Sequence, residues 1–218
     1  MSYKLQVTNL SKNFGRQRIL KQVSFQINEG SFNLISGKNG AGKSTLLDVL
    51  TGATSKNSGK IEFEGIDIDS NKSYFQKNFS YCSQSLFFYQ DLDLYKNIVF
   101  FAQLKNNPEF DIEEINTLVE SFGLSRYSGI PLKRFSTGMK KKTALCMALS
   151  QGTSLMIFDE PYASLDQESV DILNTVMIRM HNQGTTFILT SHQDLIPTSV
   201  EHSIFVLQDG ILNRQELV

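Results

Sequence analysis

Between residues 37 and 44 the chain reads Gly37-Lys38-Asn39-Gly40-Ala41-Gly42-Lys43-Ser44, a full match to G-x-x-x-x-G-K-[ST]. The surroundings give the octet its force: the apolar run "FNLIS" precedes it and the helix-compatible "STLLDVL" follows. A strand that turns through glycines into a helix aims backbone N–H groups and a helix N-terminus at one point, which suits negative oxygens. The octet thus constrains the chain to a strand, a loop and a helix, the unit from which α/β folds are built. Lys43 is placed to reach the β and γ phosphates of a bound polyphosphate, and Ser44 to ligate Mg²⁺. The bland alternative, a Gly-rich turn that merely opens a helix, is disfavoured by the complete spacing and the context.

The rest of the chain agrees with that unit. The early segments "YKLQVTNL", "KQVSFQINEG" and "GKIEFEGIDI" alternate polar and apolar residues between turn residues, which predicts antiparallel strands. The pattern then changes to continuous apolar runs, "FNLIS", "FSYCS", "SLMIFDE", "TTFILTS" and "SIFVLQ", separated mostly by helix-compatible stretches. Strands without a polar face, alternating with helices, imply a parallel sheet covered on both sides. From about residue 85 to 135 no core strand is evident. There "DLYKNIVFFAQL" and "DIEEINTLVESFGL" predict two amphipathic helices with Asp as N-cap, a helical lobe inserted beside the sheet.

Composition narrows the class. With 218 residues, 40% hydrophobic and 20% charged, a packed single domain is expected rather than a disordered chain. A net charge of -1 provides no basic field for nucleic acid, so none is expected as partner. Cys82 and Cys146 lie far apart, which fits a reducing cytoplasm better than a disulfide framework or a zinc site. The N-terminus has no signal-type stretch, and no apolar run approaches the ~20 residues of a membrane span. Work at a membrane would need another chain to supply the spanning part.

Further polar residues gather at predicted strand ends. "SLMIFDEP" ends in Asp159 and Glu160, at the sheet edge where parallel folds bind ligands: Asp159 would help hold Mg²⁺, and Glu160 would orient or deprotonate water. Taken alone, such a pair could equally be strand-end solvation. Gln84 ends "FSYCSQ" and His192 follows "TTFILTS"; Gln can bridge metal and water, and His can contact a γ-phosphate. The loop "FSTGMKKKT" joins Ser136 and Gly138 to Lys140, Lys141 and Lys142. A helix turns ~100° per residue, so at least two of these lysines are expected to be solvated.

The ordered set "SGKNGAGKST", "SYCSQS", "FSTGMKKK", "SLMIFDEPYASLD" and "LTSH" resembles the nucleotide-binding subunits of ABC ATPases along essentially the whole chain. The resemblance implies an α/β P-loop NTPase fold with a mostly parallel sheet, an N-terminal antiparallel β-subdomain and an inserted α-helical subdomain. It implies one domain over 1–218, with the core at about 1–84 and 136–218 and the helical part at about 85–135. Its ligands would be ATP and Mg²⁺. ATP would lie on Gly37, Lys38, Asn39, Gly40, Ala41, Gly42, Lys43, Ser44 and Thr45, with Phe14 stacked on adenine. The catalytic set would be Glu160, His192, Gln84 and Lys43, and the metal set Ser44, Gln84 and Asp159. Ser136 and Gly138, in the family's signature segment, would bind the ATP of a second subunit in a head-to-tail dimer. Asp166 matches the loop that crosses the dimer interface and could equally be a helix N-cap; Phe14, likewise, could be a core aromatic.

The signature reads Phe135-Ser136-Thr137-Gly138-Met139 in place of the commonest LSGGQ, and "EPYASLD" replaces the usual EPTSGLD. The S-x-G-M-K form is similar to that of exporter-type ATPases, and "SLFFYQDLDLYKNIVFFAQL" to the ATPase subunit of the cytochrome c maturation haem exporter. The resemblance therefore implies a cytoplasmic ATPase, a homodimer or heterodimer, peripheral at the membrane through an integral permease. Phe87, Phe88 and Tyr89 lie where the family docks its membrane subunit; packing of the lobe against the core is the competing role. Other functions with the same motifs are a drug, lantibiotic or polysaccharide exporter, a soluble assembly ATPase, or a nucleotide-gated binding module.

Overall fold

The computed structural model describes residues 3–104, 111–191, 197 and 200–215. Two long strands, β1 (Tyr3–Phe14) and β2 (Gln17–Asn28), form a hairpin that is joined by β4 (Ser58–Phe63) and β5 (Ile66–Asp67). The order is β2-β1-β4-β5, antiparallel throughout, as the alternating segments predict. The main sheet contains β3 (Phe32–Ser36), β6 (Phe79–Cys82), β7 (Leu155–Asp159), β8 (Thr186–Thr190), β9 (His202–Gln208) and β10 (Ile211–Gln215). Its order is β10-β9-β3-β8-β7-β6, and all its pairs are parallel except β9 with the edge strand β10.

Burial explains the apolar runs. On β7, Met156 and Phe158 join one hydrophobic core while Leu155 and Ile157 join another, and β8 splits Phe187 and Leu189 from Ile188 in the same way. Every residue of both strands is buried, so the two-residue period of a strand feeds two cores at once. The core shared with α1 (Lys43–Leu50) lies between the main sheet and the antiparallel sheet. The other lies under α5 (Thr137–Leu149) and α6 (Gln167–Asn182), and continues into α3 (Leu94–Leu104) and α4 (Ile112–Ser121). Each fully buried Phe or Leu contributes roughly 1.5–3 kcal/mol, so both faces are strongly held.

Residues 85–135 carry helices and short 3₁₀ turns. The Asp caps are present: Asp93 accepts from the Lys96 N–H at 2.9 Å, and Asp111 from the Glu113 N–H at 2.8 Å. Two elements go beyond the sequence reading: the short helix α2 (Lys72–Asn78), capped by Asn71, and β10.

Candidate functional site

The parallel order brings the ends of β3, β6 and β7 to one edge of the sheet. The loop after β3 requires its glycines. Gly42 has φ 103°, and a Cβ there would meet Ile19 Cγ2 at 2.7 Å; a Cβ on Gly37 would meet the Leu207 carbonyl at 2.5 Å. Gly42 stands at the N-cap position of α1, so Lys43, Ser44 and Thr45 occupy its first turn with their amides toward the loop. A cavity of about 420 Å³ is lined by Asn39, Gly40, Gly42, Lys43, Ser44, Thr45, Gln84 and Glu160. Gly37, Lys38 and Ala41 face a neighbouring cavity of about 660 Å³ with Arg18 and Asp209.

Lys43 is 6% exposed. Its ammonium donates to the Gly37 carbonyl at 2.9 Å and lies 4.0 Å from Glu160 Oε1. Burial pushes its pKa down, and the carboxylates of Glu160 and Asp159 oppose that shift. The lysine is thereby held between the loop backbone and the carboxylate that follows β7.

Asp159 closes β7 at 1% exposure, and Glu160 follows with φ 46°, in the left-handed region that non-glycine residues seldom occupy. Thr190 holds this joint. Its hydroxyl donates to Asp159 Oδ1 at 2.5 Å and accepts from the Glu160 N–H at 2.9 Å. The register that sets Asp159 opposite Thr190 makes the bridge possible. Sequence reasoning missed Thr190; its one signal was a threonine directly after the apolar run Phe187-Ile188-Leu189.

The other sequence-predicted residues lie elsewhere. Phe14 is 52% exposed, with the Lys12 ammonium 4.7 Å from its ring centroid, so it is no core aromatic. Ser136 is exposed and caps α5, accepting from the Met139 N–H at 3.2 Å; Gly138 packs so that a Cβ would approach the Ser164 carbonyl at 3.0 Å. Neither Ser136 nor Gly138 lines the phosphate-loop cavity. His192 lies outside the described residues.

One expectation is corrected. The lysines after Gly138 are not a solvated face: Lys141 is 4% exposed, Lys142 is 17% exposed and paired with Asp166 at 3.1 Å, and Lys140 is intermediate. Helix α5 packs against the sheet, α3 and α4, so the lysine on that side, Lys141, must find an internal partner. Asp166 also caps α6 by accepting from the Ser169 N–H at 2.9 Å. The hydroxyl and amide of Ser169, then Lys142, hold its carboxyl at about 2.

The donor set suits magnesium. Ser44, Gln84 and Asp159 offer a hydroxyl, an amide carbonyl and a carboxylate, all hard oxygen ligands. Among the described residues no three His, Cys, Asp or Glu side chains converge as a self-sufficient metal cage, and magnesium commonly completes its shell with water and phosphate oxygens.

The sequence profile of the family described as ABC transporter matches residues 20–163. The chain belongs to the ATP-binding subunits of ABC transporters. Cytochrome c biogenesis ATP-binding export protein CcmA of Vibrio parahaemolyticus is 28% identical over 195 residues, spanning 89% of this chain and 95% of that protein. Lantibiotic transport ATP-binding protein SrtF of Streptococcus pyogenes is 32% identical over 201 residues, spanning 91% and 82%. A solved ATP-binding subunit of an ABC transporter superposes with a TM-score of 0.87 at 25% identity, over 98% of this chain and 90% of that one. The fold is thus that of an ABC ATPase, and ATP is the ligand of the family to which this subunit belongs.

Proposed function

We propose that two copies of this fold close head to tail over two Mg-ATP and drive export by a separate membrane subunit. One observation carries the proposal: the phosphate loop, Gln84 and Glu160 share a cavity, while Ser136, exposed, and Gly138, half-buried, stand outside it at the start of α5. Ser136, the Gly138 amide and the α5 N-terminus suit the γ-phosphate of an ATP held by a second subunit. The partner is a second copy of this chain or a related ATPase. On this reading residues 1–218 work as one domain, with residues 85–135 as the helical part.

In each composite site the amides of Gly37–Thr45 and the Lys43 ammonium neutralise the phosphates, and Phe14 stacks on adenine. Magnesium, when bound, would be held by Ser44, Gln84 and Asp159 and would supply further neutralisation of phosphate charge. Glu160 accepts a proton from a water positioned by Gln84, and His192 contacts the γ-phosphate. The water oxygen bonds to the γ-phosphorus as the bridge to the β-phosphate breaks, leaving ADP and phosphate.

The exposed aromatics support a membrane partner. Phe88 is buried, whereas Phe87 and Tyr89 are 69% and 42% exposed, and they stack edge to face with Phe101 and Phe100 respectively. Asn97, fully buried, holds this loop by accepting from the Tyr89 N–H and donating to its carbonyl. Such a fixed apolar face suits a short segment of a permease on the cytoplasmic side. Among the described residues no helix is long and apolar enough to cross a membrane. The similarity to export proteins of cytochrome c biogenesis and lantibiotic transport supports export, with haem the cargo that the sequence resemblance favours.

Light scattering on the Glu160→Gln variant tests the composite site. With Mg-ATP the mass of a dimer is expected, and a further Ser136→Phe substitution abolishes it. ATP bound to a persistent monomer would contradict the proposal.

A further inference from the structure

Of the three consecutive lysines Lys140, Lys141 and Lys142, Lys141 is the buried one. It lies on α5, five residues after Ser136, about 7.5 Å further along the helix axis. Its side chain is 4% exposed, and its ammonium donates to the Asp159 carbonyl at 3.3 Å. An aliphatic side chain would fill the same space without the cost of desolvating a charge. The cost is therefore tied to what the ammonium holds.

What it holds is the peptide unit between Asp159 and Glu160. Lys141 binds the carbonyl of that unit, and Thr190 binds its N–H at 2.9 Å. The unit leads into the left-handed conformation of Glu160, so its rotation would swing the Glu160 side chain. Helix α5 thus touches the hydrolytic joint of its own chain through Lys141, and presents Ser136 and Gly138 at its exposed start. A second tether runs beside it: Lys142 pairs with Asp166 at 3.1 Å, on the loop that follows the same joint.

We propose that Lys141 is a positioning residue that couples the two ATP sites of the dimer: seating of the other copy's γ-phosphate on Ser136 and Gly138 shifts α5, and Lys141 passes that shift to Asp159 and Glu160. The inference rests on Glu160 being the base and on the composite site. Rigid helices with two discrete seatings are suited to carry such coupling.

The test compares Lys141→Met and Lys141→Gln with wild type in ATP turnover, fluorescent-nucleotide affinity and thermal melting. Met fills the space without a donor; Gln restores an N–H. For Lys141→Met, nucleotide affinity should stay within about twofold of wild type and the melting temperature should be undiminished. Its kcat should fall about ten- to a hundredfold, as misplaced catalytic groups do. The Hill coefficient for ATP should fall toward one, since cooperativity is the signature of coupled sites. Lys141→Gln should recover part of both. Wild-type kcat and cooperativity in Lys141→Met would overturn the proposal, as would a loss of turnover matched by losses of melting temperature and nucleotide affinity. Glu160→Gln, run alongside, separates the two readings: lost hydrolysis there with wild-type behaviour in Lys141→Met overturns the role of Lys141 alone. Retained hydrolysis in Glu160→Gln overturns the base assignment and the positioning role with it.

Discussion

Thr190→Val removes one hydroxyl and almost no volume. In the folded chain that hydroxyl donates to Asp159 Oδ1 at 2.5 Å and accepts from the Glu160 N–H at 2.9 Å, with Thr190 fully buried and Asp159 1% exposed. Valine leaves a buried carboxylate oxygen and a buried amide without this partner, each costing about 1–3 kcal/mol. Taking about 3 kcal/mol together, a chain of this length should melt roughly 6–12 °C lower. Thr190→Ser keeps the hydroxyl and loses one methyl, which costs about 1 kcal/mol. Differential scanning calorimetry measures both, and turnover should follow the same order, because the bridge also sets the two carboxylates. A valine variant that melts within about 2 °C of wild type, with serine no better, would show that the Thr190 bridge does not hold the joint.

Lys43→Ala removes a charge-assisted contact to phosphate worth about 1.5–3 kcal/mol, so ATP affinity by titration calorimetry should fall roughly ten- to a hundredfold. Asp166→Ala removes the N-cap of α6 and should cost about 1 kcal/mol near neutral pH. Because the folded pKa of Asp166 is lowered, its stabilisation is present above the ordinary carboxylate pKa and fades as pH falls toward about 2. Melting curves of wild type and Asp166→Ala should therefore converge between about pH 4 and pH 2.

How much of this was legible in the sequence depended on burial. The five strands read as continuous apolar runs match β3, β6, β7, β8 and β9, because a sheet covered on both faces leaves little need for polar side chains. Strand β10 gave no such run: at the sheet edge only Leu212 is buried. Helix α2 spans seven residues with only Phe75 buried, too short for a periodic pattern to show.

The candidate site was legible where one motif holds it together and obscure where distant elements meet. Lys43 and Ser44 follow from the loop spacing, and Asp159 and Glu160 from a strand end. Thr190 depends on β8 lying beside β7, which the sequence does not order. Lys141 could not be told from its neighbours, because three lysines in a row suggest a wet helix face, whereas α5 packs against elements distant in sequence. Ser136 and Gly138 acquired a role through family resemblance, since their proposed ligand belongs to another molecule.

Whether Glu160 is the hydrolytic base is decided by steady-state ATP turnover of wild type against Glu160→Gln, with nucleotide affinity measured on the same samples. Wild type should hydrolyse ATP with Mg²⁺, and the variant should bind ATP as tightly but turn over roughly 10²- to 10⁴-fold more slowly, the usual worth of a general base. Turnover in Glu160→Gln equal to wild type would contradict that role.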